Sequence, residues 1–474
     1  MPEPAALFPR VTLDRTFADL YGDKKDSLIL STQMLNRYVD AQGGGHPKYY
    51  YHDMAVADKS QGGEGTRRDI LDVYMRGQRN TFVCGNMLVL TFFSGTPNDP
   101  NDDKLDMMCT MNGLNLNQQP RLAFCCSPKP IKLPRDKLLV PALPVDCISQ
   151  HRLLIDPDIH YVITSKRGLA LSGLPNPKSN LLDFETRGQA TEDEKSLHAE
   201  KVLRVIQEHE LPFAVKLQQT ISGYGTFIIN SENTRVDAIA KLKSILPSSL
   251  SKVAPKNINL HPATVIVSEL TPSDGSIALS FFVKPDGEVF FISGSWQNFE
   301  DAHHYDGCCI NYSEQDKFRD EVSGLLDKVA KFVYDKGYYG PIGLDVLKSK
   351  STGELIVVDL NARPCASHVV GLLRGHFEKR GLQWACLKEM VKVPFTRKEF
   401  FDVMREEIAS GRLVIVAWCE DKNDSGSWGS FVLGAESKEV LIKDVQRLQE
   451  IKKPTSSHSS GLFGFLRRLI FAKY

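Results

Sequence analysis

Four polar side chains set on two short apolar stretches carry the clearest chemistry in this chain: Asp345, Asp359, Asn361 and Arg363. Residues Ile342 to Leu347 and Glu354 to Leu360 read as strands. Their residues alternate in polarity, and the polar segment between them holds Thr352-Gly353 as a turn. With the turn centred on Thr352, Asp345 falls opposite Asp359. Residues two apart on a strand share a face, so Asp359, Asn361 and Arg363 point the same way. Two carboxylates and an amide oxygen thus gather beside one guanidinium, on strands otherwise built of Leu, Ile and Val. Facing carboxylates repel. A hard cation would relieve that repulsion, and Mg²⁺ suits an all-oxygen set whose shell is completed by phosphate oxygens. The alternative is a solvent-facing hairpin edge with scattered charge, which does not need acid, amide and guanidinium in single file.

The vocabulary of this hairpin, and its place late in the chain, resemble the ATP-grasp superfamily. There, a hairpin ending in acid-x-Asn-x-Arg holds magnesium and the transferred phosphate. The resemblance spans residues 160 to 370 and rests on five elements in order. The segment from Tyr161 has Lys166, a short helix and then Gly173-Leu-Pro175-Asn-Pro177. A charged helix, Glu192 to Glu210, precedes the strand from Pro212 to Leu217, whose Lys216 ammonium needs a polar partner. The loop from Gln218 to Gly225 follows, with Ser222, Gly223 and Gly225 where backbone N–H groups can approach an anion; an ordinary hairpin turn is the other reading. A strand from Ala263 ends at Glu269-Leu270, similar to the family's hinge beside adenine. Last come a hairpin around Pro285-Asp-Gly287 and a helix from Ser313 with a box-like Asp316. That helix has a core face of Phe318, Val322, Leu325, Val329 and Phe332, stops at Gly337 and leads into the metal hairpin.

The resemblance implies ATP-dependent ligation: a carboxylate attacks the γ-phosphate to give an acyl phosphate and ADP, and an amine then displaces phosphate. It assigns Asp345, Asp359 and Asn361 to the metal, Mg²⁺ with Mn²⁺ as a substitute. Arg363 and Lys216 become catalytic. Lys166, Lys216, Ser222, Gly223 and Gly225 take the ATP phosphates, with Glu269, Leu270 and Leu347 around adenine. Many members carry Glu where this chain has the shorter Asp359, which puts the metal's position in question. A regulatory ATP-binding module without ligase activity and a kinase of the same fold share these residues. His303, His304, Asp306 and His368 are the candidates for lining the substrate pocket. The partners implied are a small-molecule carboxylate and an amine, with amino acids the family's commonest pattern.

The elements that position these groups imply an α/β (α+β) multi-domain chain. Its 474 residues exceed one small core. Residues 1–150 read as an N-terminal α/β pre-grasp domain with buried strands at 27–30 and 81–93, a helix at 68–76, and loops at 41–47 (holding Gly43 to Gly45) and 96–104. Residues 139–144 read as a connector. The ATP-grasp domain is expected over 151–385, with a nucleotide lobe at about 190–270 and a metal and substrate lobe at about 271–385. A small C-terminal α/β module covers 386–452, and 453–474 form a linker and amphipathic tail. Lys plus Arg and Asp plus Glu both number 58, so no net field favours nucleic acid. Ten cysteines without a CxxC or a zinc-spaced set, and an N-terminus without a leader pattern, fit a cytoplasmic protein. In the tail, Leu462, Phe465, Leu466, Leu469 and Ile470 form an apolar stripe beside Arg467, Arg468 and Lys473. It suits docking on the body or on a partner subunit, as in a homodimer, with membrane-surface contact as the other reading.

Overall fold

The computed structural model describes residues 9–34, 46–52, 62–92, 100–125, 132–186, 190–220, 223, 225–299, 305–421 and 426–451. Gly43 to Gly45, Ser222, His303, His304 and the 453–474 tail lie outside the described residues, as does the side chain of Asp306.

The N-terminal unit is a four-stranded parallel sheet of β1 (Leu28–Ser31), β2 (Leu88–Phe92), β3 (Arg121–Cys125) and β4 (Leu138–Pro141), in the order β3-β2-β1-β4. Parallel neighbours need long crossovers. Helices Gly62–Thr81 and Pro100–Asn112 lie in two of them. Four expectations change here. The helix runs to Thr81 rather than Arg76, and the strand expected from residue 81 starts at Leu88. A short apolar run such as Phe82-Val-Cys fits helix and strand periods alike; in the fold the Thr81 hydroxyl donates back to the Gly77 carbonyl at 2.7 Å, as helical Thr does. Much of the 96–104 loop is instead the start of Pro100–Asn112, where a first-turn Pro and the acids Asp102 and Asp103 suit a helix N-terminus. The 139–144 connector begins as β4, paired with β1 from Leu28↔Leu138 to Ser31↔Pro141.

The second sheet holds β5 (Ser179–Leu182), β6 (Phe213–Leu217), β7 (Thr226–Ile229) and β8 (Val265–Glu269), all antiparallel, in the order β5-β8-β6-β7. Helices Glu192–Glu208 and Glu232–Ser251 start at capping boxes built on Thr191 and Ser231. Their Val202, Ile206 and Leu242 pack with Val215 and Val265 in one core.

The third sheet has eight strands: β9 (Ser276–Val283), β10 (Val289–Phe299), β11 (Tyr305–Asn311), β12 (Gly340–Lys348), β13 (Leu355–Asn361), β14 (Trp384–Val393), β15 (Leu413–Asp421) and β16 (Gly426–Ala435). Their order is β13-β12-β9-β10-β11-β14-β16-β15. Helix Gln315–Tyr334 lays Val322, Leu325, Val329 and Val333 against Leu279, Phe281, Ile342 and Leu344, each such side chain contributing about 1.5–3 kcal/mol by burial. The Ser313–Asp316 box does not form. A 3₁₀ turn, Tyr312–Glu314, comes first, the Asn311 side chain accepts from the Ser313 N–H, and the α-helix begins at Gln315 without a side-chain cap. The boundary expected at 385/386 falls inside β14. Residues of the C-terminal segment continue the large sheet, because β14 pairs with β11 through Cys309↔Cys386 and Asn311↔Trp384. Polarity patterning marks a strand but not its neighbour. The Gln78 side chain also exchanges two hydrogen bonds with the Trp418 backbone, at 2.8 and 3.1 Å, locking the N-terminal helix onto β15.

Candidate active site

The hairpin β12–β13 sets Asp345 directly across from Asp359, and Gly343 across from Asn361. A bulge leaves Val358 unpaired between Asp359 and Val357. Its carbonyl accepts from the Lys216 ammonium at 3.2 Å. From the other side, Lys166 Nζ reaches Asp359 Oδ1 at 2.5 Å. The two lysines come from different elements: Lys216 is the fourth residue of β6, and Lys166 opens the short helix Lys166–Ala170, capped by Ser165. That helix is anchored by the Arg167–Asp183 ion pair at 2.9 Å and by the Lys166 N–H donating to the Gln218 carbonyl at 2.9 Å. The Gly173–Pro177 segment ties the two sheets together. Pro175 O accepts from Val357 N–H and Lys178 O from Glu269 N–H.

Beside Asp359, the Asn361 amide donates to Asp359 Oδ2 at 3.3 Å and accepts from Arg363 Nη2 at 2.7 Å. Asp345 accepts from Gln297 Nε2 at 2.8 Å. Gln297 sits on β10, and the primary structure offers no local signal for it. Gly343 has to be glycine: a Cβ there would stand 2.6 Å from Cys365 Sγ. An open cleft of about 170 Å³ is lined by Asp345, Asp359, Asn361, Arg363, Gln297 and Gly223. Its opposite wall adds Arg76, Arg79 and Glu389, which sequence reasoning missed.

Burial, and then the charge of Asp359, push the Asp345 carboxyl well above its usual range, against the pull of Lys166, Arg363 and Gln297. Burial acts the same way on Asp359, but Lys166, as charge and as donor, with Arg363 and Lys216, holds it below its usual value. Burial and the neighbouring Lys166 bring Lys216 down to about 8. An Asp345 whose carboxyl burial and its partner's charge push upward, two carboxylates in register and an adjacent amide fit a hard divalent cation, whose charge would favour ionisation of both acids. The Asn361 oxygen, which accepts one hydrogen bond from Arg363, has a second lone pair to offer.

The expected residues therefore divide. Lys166, Lys216, Asp345, Asp359, Asn361 and Arg363 come together, with Gly223 on the cleft wall. Gly223 and Gly225 have φ of +80° and +70°, conformations that favour glycine, and Thr226 N–H closes a turn onto the Gly223 carbonyl. Glu269 is exposed at the end of β8; Leu270 and Leu347 are half-buried, and none of the three lines this cleft. His368 does not face substrate space. It is fully buried, takes the Cys365 N–H on Nδ1 at 3.0 Å at the start of helix Ala366–Leu372, and packs edge-on against Phe17. Burial lowers its imidazole to about 4. Among the described residues, no helix is long and apolar enough to cross a membrane.

No curated protein matches the chain. Among solved structures, N5-carboxyaminoimidazole synthetase from Staphylococcus aureus complexed with ADP aligns with 10% identity over 94% of this chain and 99% of that one, at a TM-score of 0.47. The Aspergillus clavatus synthase with ADP and 5-aminoimidazole ribonucleotide aligns with 12% identity over 90% and 98%, also at 0.47. Biotin carboxylase from Campylobacter jejuni aligns with 10% identity over 89% and 90%, again at 0.47. A family model described as L-aspartate--L-methionine ligase, ATP grasp, matches residues 193–361. That stretch runs from the helix before Lys216, through the glycine turn and both facing aspartates, to Asn361, and over it the chain is similar to the ATP-grasp ligase family.

Proposed function

We propose that the chain is an ATP-dependent carboxylate–amine ligase acting on small molecules, with amino acids as its substrates. The observation that carries this reading is the register of β12 and β13. It puts Asp345 across from Asp359 and strings Asn361 and Arg363 along one edge of a cleft that also reaches Gly223. Phosphoryl transfer asks a protein chiefly for positioning and charge neutralisation. Asp345 and Asp359, with Asn361, would hold Mg²⁺, which when bound neutralises charge on the ATP phosphates. Lys166 and Lys216 add positive charge from two separate elements. Arg363 presents a planar fork to the transferred phosphoryl group or to the substrate carboxylate. The substrate carboxylate attacks the γ-phosphorus, ADP leaves, and the amine then displaces phosphate from the acyl phosphate to form an amide. The turn at Gly223–Gly225 would close over the reacting groups and keep water from the acyl phosphate. The family description names two amino acids, which motivates the substrate class.

The test is product analysis with Mg·ATP and pairs of L-amino acids. ADP and phosphate should appear in a 1:1 ratio, and added hydroxylamine should capture the activated acid as a hydroxamate. AMP with pyrophosphate would mean adenylation and overturn the acyl-phosphate route.

A further inference from the structure

The wall of the cleft opposite the metal hairpin is built from charges that the phosphoryl-transfer machinery does not use. Arg76 and Arg79 lie three residues apart, on one face of helix Gly62–Thr81. Glu389 comes from β14, and all three side chains line the cleft. Arg76 Nε holds Asp72 at 2.6 Å. Arg79 donates to Asn80 Oδ1 at 3.2 and 2.9 Å and forms an ion pair with Glu389, the two side chains only 4% and 5% exposed.

Glu389 is placed there by a distortion. Along β14 the pairing with β16 steps from Lys388↔Phe431 to Val391↔Gly429, so Glu389 and Met390 together oppose one residue. Met390 has φ of +53°, in the left-handed region that a non-glycine residue rarely occupies. Bulges and such strained residues concentrate beside functional sites, where they re-aim a side chain. A buried ion pair is seldom justified by stability alone, since apolar residues of similar volume often do as well.

We propose that Arg79 and Glu389, assisted by Arg76, are the specificity determinants for the second substrate, and that this substrate carries both a carboxylate and an ammonium. The proposal rests on the ligase reading above and goes beyond it by assigning the recognition residues. The substrate's carboxylate is received by Arg76 and Arg79 and its ammonium docks on Glu389, so the internal pair exchanges for two external ones; as the amide forms, the nitrogen leaves Glu389 and its two protons go to the departing phosphate. Arg76, Arg79 and Glu389 line the same cleft as Asp345, Asp359, Asn361 and Arg363, so a second amino acid held there has its amine in the cleft where the acyl phosphate forms.

The experiment uses the full chain with Mg·ATP and pairs of the twenty L-amino acids, reading phosphate release. For the pair that supports turnover, Glu389→Gln and Arg79→Lys should each raise the KM of one amino acid at least tenfold. They should change kcat less than threefold and leave Mg·ATP affinity unaltered. The α-amide of that amino acid should show the same KM increase on the native protein and no further increase on Arg79→Lys. The exchanged double variant Arg79→Glu with Glu389→Arg keeps an ion pair and reports whether the fold survives. Native KM values in both single variants overturn the proposal and leave the ligase reading intact. Loss of Mg·ATP binding together with ligation in the single variants, but not in the exchanged one, makes the pair structural and also overturns it. Silence of the native protein toward every pair overturns the ligase reading and this proposal together.

Discussion

The two ends of the cleft were built in different ways. At one end, Asp345, Asp359, Asn361 and Arg363 sit on a single hairpin within nineteen positions of one another, and their relative placement follows from strand register. At the other end, Arg79 arrives on a helix of the N-terminal unit and Glu389 on a strand more than three hundred positions later. Local geometry suffices for the first end. Only the docking of a helix onto the far half of a sheet produces the second. The lysines stand between these extremes: each ends or opens a recognisable element, but their convergence on Asp359 and Val358 depends on how two sheets pack.

This contrast has consequences that can be measured. The largest effect should come from the local end. Asp359→Ala removes a carboxylate set across from Asp345 and the partner of Lys166, and ligation should fall at least about a thousandfold, near 4 kcal/mol of barrier. The fold should persist, because Asp359 is a half-buried hairpin residue rather than core. Circular dichroism and steady-state phosphate release on the purified variant check this, and native turnover would remove Asp359 from the proposed metal site.

A smaller loss is expected at the glycine turn. Gly225 has φ of +70°, and a Cβ there would lie 2.6 Å from Thr220 Cγ2. Gly225→Val should reduce ligation about ten- to a hundredfold, roughly 1.4–2.8 kcal/mol, with Mg·ATP affinity changed much less. Limited proteolysis supplies the check: cleavage within 218–226 should diminish on adding Mg·ATP to the native protein. Equal cleavage in both states would return Gly223–Gly225 to a simple turn.

The smallest effect concerns pH and the groups that tertiary packing brings together. Burial and Lys166 hold the Lys216 ammonium down at about 8, against 10.5 for an exposed lysine. Between those values the unfolded chain binds more protons than the folded one, so the nucleotide-free protein should gain stability as pH rises across that window. Phosphates favour the charged lysine, so Mg·ATP affinity should weaken as pH climbs past about 8, by at most tenfold per unit. Calorimetric titrations at several pH values should show the slope in native protein and a flat profile in Lys216→Met. A slope that survives in the variant would assign the proton to another group.

Much of the fold was legible before any coordinates. The strand ending in Lys216, the helix with its Val322–Val329 stripe and the Asp345–Asp359 register all follow from periods of 2 and 3.6 residues and from turn chemistry. Reading went astray where the signal is short or where pairing is distant. Thr81 to Cys84 suits helix and strand equally, and β14 looks like the start of a module although its backbone bonds run to β11. His368 carries site chemistry in its side chain yet lies in the core as a helix cap.

Sequence alone determined the Asp345–Asp359 hairpin, because neighbouring positions on a strand and across a turn have fixed relative geometry. It also determined which segments would be strands and helices wherever apolar periodicity was long. Tertiary structure alone decided that Gln297 would hold Asp345, that two lysines from separate elements would meet at β13, and that Arg79 would face a bulged Glu389. Those contacts join residues tens to hundreds of positions apart. Their geometry is set by the packing of sheets against helices, which no local pattern encodes.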